Sequence, residues 1–94
     1  LPDEPDRVIA GAPAADDALA AAELPAYIQA AIRSLAPDYR TALVLCDVVG
    51  MTYPEISATL DIPVGTVRSR ILRARSSMRE LLRPHLDTGK EVEQ

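Results

Sequence analysis

A single cysteine, Cys46, and a single histidine, His85, occur in this 94-residue chain. One cysteine cannot close an internal disulfide, and the two residues together fall far short of a zinc ligand set, so no metal site and no cofactor are expected. No apolar run approaches the roughly 18 residues needed to cross a bilayer. Residues 1–23 lack both a basic start and a continuous apolar segment, so no secretory signal is read either, and a cytoplasmic protein without membrane contact is expected. There is no internal repeat, no glycine-rich phosphate loop and no strand signal. Ser69, Ser76, Ser77 and His85 offer no triad spacing, so no enzyme and no small-molecule substrate are predicted. The chain opens on Leu1 rather than methionine, which suggests a piece of something longer with partner domains upstream.

The apolar residues define the folded unit. Hydrophobic residues make up 48% of the chain, but 15 are alanine, and 25 of the 30 larger ones lie between Leu24 and Leu86. One small domain over 24–86 is therefore predicted. Residues 1–23 carry Pro2, Pro5, Pro13, six acids and many alanines, the composition of a flexible linker, although Asp16 to Glu23 has the makings of a helix start. Residues 87–94 read as a polar tail. Within the unit, Leu24, Tyr27, Ile28, Ala31, Ile32 and Leu35 recur at the spacing of one helical face. Pro37 breaks that helix and opens a second, to Val49, which is apolar nearly all round and is stopped by Gly50. Cys46 falls on this helix and reads as a core residue. Thr52 and Glu55 form a capping box for a short third helix with Ile56 and Leu60 facing inward. A turn at Ile62-Pro63 leads into the last helix, expected to end near Leu82 because Pro84 follows, leaving His85 as a solvated terminal residue. Four helices make an all-α domain ending in a helix-turn-helix.

Charge singles out that last helix. The formal net charge is -4, which on its face disfavours a nucleic-acid partner. Residues 1–67 hold three arginines against ten acids, however, whereas residues 68–83 hold six arginines against Glu80 alone. A solvated helix face is the plain alternative to a phosphate-binding strip. Facial segregation bears on the choice. At 100° per residue, Val64, Val67, Ile71, Ala74, Met78 and Leu81 lie within about 60° of Val67 and form the packing stripe. The opposite face carries Gly65, Thr66, Ser69, Leu72 and Arg73, flanked by Arg68, Arg70 and Arg75. These eight are the candidate DNA-binding residues. Gly65 and Thr66 let helix N-terminal amides approach a phosphate. Ser69 and Arg73, one turn apart, suit base edges, and Leu72 is either a thymine-methyl contact or an uninformative exposed leucine. Arg79 and Arg83 read as solubilising groups.

Three segments together resemble a known family: Leu35-Ala36-Pro37-Asp38-Tyr39-Arg40, Gly50-Met51-Thr52-Tyr53-Pro54-Glu55-Ile56, and Val64-Gly65-Thr66-Val67-Arg68-Ser69-Arg70 with Arg73-Ala74-Arg75. Over about residues 24–83 they are similar to region four of bacterial extracytoplasmic-function sigma factors. The departure is Ala36 beside Pro37, which shifts only the helix start. The resemblance implies recognition of the -35 promoter element, docking on the flap of core RNA polymerase and control by an anti-sigma factor. It makes residues 1–23 the linker from a region-two domain and Gly65 to Arg75 the recognition helix, with Arg68, Ser69, Leu72 and Arg73 at base-reading and nearby backbone positions. A strip of charge on an acidic body then suffices, because polymerase and the other sigma domain share the binding. The second helix has more apolar surface than a small core needs, so Val44, Val48 and Met51 are the candidate partner-binding residues. Two other readings stand beside this one: the helix-turn-helix output domain of a response regulator, and a helical protein-interaction module with secondary DNA contact.

Overall fold

A computed structural model describes the backbone of residues 15–93 and the side chains of residues 15–86. The all-α class holds, with no strand among the described residues. Helix α1 covers residues 15–21, α2 Ala26–Arg33, α3 Pro37–Leu43, α4 Tyr53–Leu60 and α5 Val64–Glu93. A π-helical stretch, Val44–Val49, continues α3, so the two form one central helix.

Helix α1 corrects the expectation of a linker through residue 23. Ala15 and Leu19 are completely buried in a cluster with Ile32, Leu35, Leu43, Val44 and Ala74. The physical reason lies in their spacing. At i and i+4 they make a narrow apolar stripe, enough for docking on a surface that already has a hole for one leucine. Asp16 adds an ion pair, its Oδ1 lying 3.6 Å from Arg40 Nε. Glu23, in the left-handed conformation at φ 56°, ends the segment. The expected linker at 1–14 lies outside the described residues.

Arg40 also closes α2. Its Nη1 donates to the Arg33 carbonyl at 3.0 Å, satisfying an orphan acceptor at that helix end. Pro37 sits in the first turn of α3, where its missing amide costs nothing. Gly50 stops the central helix at φ 92°, ψ 23°. The central helix divides its residues between two cores. Leu43 and Val44 face the cluster with α1 and α2, while Ala42 and Leu45 join Ile56, Val67 and Ile71 in the cluster that seats α4 and α5.

That division corrects the docking-surface expectation. Val44 is fully buried, and Val48 and Met51 are half-buried, packed on one cluster each. The helix is apolar all round because apolar neighbours cover two of its sides. Cys46, expected in the core, is half-buried at the edge of the second cluster. On α2, Tyr27 turns outward at 44% exposure, while Ala31 and Ile32 are buried as expected.

Helix α5 passes through Pro84 and continues to Glu93, against the expectation of a stop near Leu82 and a tail from 87. An internal proline removes one helical hydrogen bond and costs about 3 kcal/mol. The adjacent His85 is exposed as expected, but it lies within the helix rather than at its end, and its ring stacks on Tyr27 at 4.4 Å between centroids, a contact that ties α5 to α2 beside the proline. The side chains expected in the tail lie outside the described residues.

Candidate nucleic-acid interface

The turn between α4 and α5 is built by local chemistry. Thr52 Oγ1 accepts from the Glu55 amide at 3.2 Å, and Glu55 Oε1 accepts from the Thr52 amide at 2.8 Å, completing the capping box. Asp61 ends α4 in the left-handed conformation at φ 60°. Ser57 Oγ donates to the Ile62 carbonyl, and the Ile62 amide donates to the Ser57 carbonyl at 3.1 Å, so the turn is hydrogen-bonded back onto the helix it leaves. The Pro63 carbonyl then accepts from the amides of Thr66 and Val67, and α5 starts.

Packing fixes how α5 is rolled. Val67, Ile71 and Ala74 are fully buried, which turns Gly65, Arg68, Ser69, Leu72 and Arg73 to solvent. The stripe frays at its ends, where Val64 and Leu81 are exposed. Leu72 is 56% exposed, which separates it from the buried apolar set. No acidic residue stands in the first turn of α5, so no carboxylate of that turn offsets the positive end of the helix dipole. Three of these exposed residues, Gly65, Ser69 and Arg73, border an open groove of about 740 Å³ between the start of α5 and the start of the central helix, lined with them by Thr66 and Arg70 on one side and by Asp38 and Tyr39 on the other.

The arginines differ in what they touch. Arg68 lies over the Tyr53 ring, 5.8 Å from its centroid, a cation–π arrangement that braces the guanidinium while leaving it exposed. Arg73 Nη1 reaches the Tyr39 hydroxyl at 3.5 Å. Arg70 is half-buried and pairs with Asp38 at 3.8 Å. Arg75 is held most firmly, its Nη2 donating to Asp47 Oδ1 at 2.6 Å and its Nε to Oδ2 at 3.2 Å. That bidentate pair raises the Arg75 pKa above its ordinary value. Cys46 also lies against Arg75, but its thiol is pushed up by burial and then by the Asp47 charge, which disfavours the thiolate.

Five of the eight candidate residues thus line the groove, Gly65, Thr66, Ser69, Arg70 and Arg73; Arg68 and Leu72 are exposed on the same helix outside its lining, and Arg75 is fastened to Asp47 of the central helix. Sequence reasoning missed the partners: Tyr39, Tyr53, Asp38 and Asp47. The first three lie inside the motif segments. Asp47 and Arg75 are 28 residues apart with no local signal connecting them. Among the described residues no group of His, Cys, Asp and Glu could hold a metal ion, and no helix is long and apolar enough to cross a membrane.

Comparison with known proteins agrees with this geometry. The model of the family "Sigma-70, region 4" matches residues 26–78. The chain is 47% identical over 85 residues to the ECF RNA polymerase sigma factor SigE of Mycolicibacterium smegmatis, a match covering 90% of this chain and 33% of that protein. It is 44% identical over 64 residues to the RNA polymerase sigma-H factor of Pseudomonas aeruginosa, covering 68% and 33%. It is 45% identical over 62 residues to the ECF RNA polymerase sigma-E factor of Escherichia coli, covering 66% and 32%. The chain therefore spans about a third of the length of these relatives. No solved structure gives a significant match. The family match covers α2 to the middle of α5, including the whole helix-turn-helix, and the chain belongs to the sigma-70 region 4 family, in its extracytoplasmic-function branch.

Proposed function

We propose that this chain recognises the -35 element of promoter DNA through α5 and, as part of a longer sigma factor, docks on the flap of core RNA polymerase under the control of an anti-sigma factor. It acts in the cytoplasm as a binding module for initiation rather than as a catalyst. The observation that carries the reading is the outward roll of Arg68, Ser69, Leu72 and Arg73 on the first turns of a helix whose buried stripe is fixed by the second cluster. A helix so presented enters the major groove, where Arg73 can grip guanine O6 and N7, Ser69 a neighbouring base edge and Leu72 a thymine methyl. Gly65 and Thr66 offer the helix N-terminus to a phosphate. Arg75 has its guanidinium occupied by Asp47, so we assign it to holding α5 in place rather than to the phosphate rail.

The polymerase-facing or anti-sigma-facing surface is assigned to the end of the central helix, where Val49 is 49% exposed beside Val48 and Met51, without Val44. The test is co-purification with core polymerase and sequencing of the promoter fragments that the complex retains. A shared motif at the -35 position is the expected result. Retention of polymerase without any common DNA motif would leave the interaction-module reading in its place.

A further inference from the structure

The groove along the recognition face contains one carboxylate. Of its lining residues only Asp38 is acidic, on the first turn of the central helix, and it faces Arg70 of α5 at 3.8 Å. Resting on the promoter-reading role above, we infer that Asp38 stands in for a DNA phosphate at Arg70 in the free domain and lowers the affinity of this face by competing with the DNA backbone for that guanidinium.

Three observations support the inference. First, both members of the pair line the open groove, with the Asp38 side chain 53% exposed and the Arg70 side chain 25% exposed, so part of the same cation is open to a phosphate that enters the groove. Second, the pair is loose. At 3.8 Å it lacks the short paired hydrogen bonds of Arg75 and Asp47, and exposed pairs of this kind are weak, whereas a charge-assisted bidentate contact to phosphate is stronger. Third, the Arg75 pair lies outside the groove and is closed by two hydrogen bonds, so of the two acids that pair with the strip only Asp38 stands where DNA would enter the groove. When DNA binds, Arg70 exchanges a carboxylate for a phosphate. Asp38 is left beside the polyanion and recruits a cation from solution, which cancels about one of the counterions that the DNA releases.

Replacing Asp38 by Asn removes both the competitor and the recruited cation without changing the shape of the groove. With the 94-residue chain and fluorescently labelled duplexes, one carrying the selected -35 motif and one scrambled, Asp38→Asn is expected to tighten binding to both by the same factor, about two- to fivefold at low salt. The plot of log affinity against log salt is expected to steepen by about one unit. In an Arg70→Ala background the same change should have less than half that effect. Asp17→Asn, an equal charge change on the exposed side of α1, controls for net charge. Equal tightening by Asp17→Asn and Asp38→Asn, an unchanged salt slope, or a full effect without Arg70 would overturn the inference while leaving promoter recognition intact. Equal affinity of the wild-type chain for motif and scrambled duplexes would instead remove the promoter-reading role, and the inference with it.

Discussion

The cluster of Ala42, Leu45, Ile56, Val67 and Ile71 seats the helix-turn-helix on the central helix, whereas the cluster of Ala15, Leu19, Ile32, Leu35, Leu43, Val44 and Ala74 gathers residues from α1, α2, the central helix and α5. The first is made by residues within 30 positions of one another and sets the roll of the recognition helix. The second reaches back to residue 15 and packs α1 and α2, which carry no candidate DNA contact, against the central helix and Ala74 of α5. The difference separates what reads DNA from what keeps the domain folded, with the central helix common to both. Damage to the helix they share should therefore be the most severe, and damage to either cluster alone should be distinguishable by which property is lost.

The largest expected effect follows from Val44→Glu. A carboxylate at this fully buried position, without a partner, costs several kcal/mol against a domain stability of about 5–15 kcal/mol, so the helical circular dichroism signal should be lost at room temperature. A folded Val44→Glu protein would contradict the division of the central helix between two cores. Next is Leu19→Ala, expected to lower unfolding stability by about 2–5 kcal/mol in urea titration while the folded fraction keeps its DNA affinity. A change below about 0.5 kcal/mol would mean that 15–21 is a linker after all. Thr52→Ala removes one half of the capping box and should cost about 1 kcal/mol, read as a lowered melting temperature. Asp47→Asn should cost the least, at most about 1 kcal/mol, because the pair with Arg75 is well over a third exposed on both sides. It sharpens the comparison by its second effect. Once freed, Arg75 should strengthen binding to motif and scrambled duplexes alike, and unchanged binding would show that the clamp has no bearing on the DNA face.

Most of the helix-turn-helix was legible in the sequence because its signals are local. The capping box, Gly50, Pro63 and the Val67-Ile71-Ala74 stripe each act within one or two helical turns, and the structure places all of them as the spacing implies. Three features were not legible, for different physical reasons. Helix α1 has only Leu19 as a large buried residue, too little for a periodic pattern, and its burial depends on a pocket made by distant segments. The continuation of α5 through Pro84 runs against a strong local rule, beside a ring contact to Tyr27 that lies 58 positions earlier. The all-apolar central helix admits two readings, a surplus face or a position between two cores, and only the packing of Leu43 and Val44 away from Ala42 and Leu45 separates them. At the candidate site, the arginines were legible from charge and facial position, but their pairing with Asp38 and Asp47 is tertiary.

Selection of bound duplexes from a randomised pool, carried out in parallel with the wild-type chain and with Arg73→Ala, tests the DNA-reading face most directly. The wild type should enrich a short motif, and Arg73→Ala should lose preference at one guanine position while keeping the rest, a loss of about 10- to 100-fold for that base and far less for scrambled DNA. An unchanged motif, or the same loss on every sequence, would show that Arg73 does not read a base and would contradict the assignment of this face to promoter recognition.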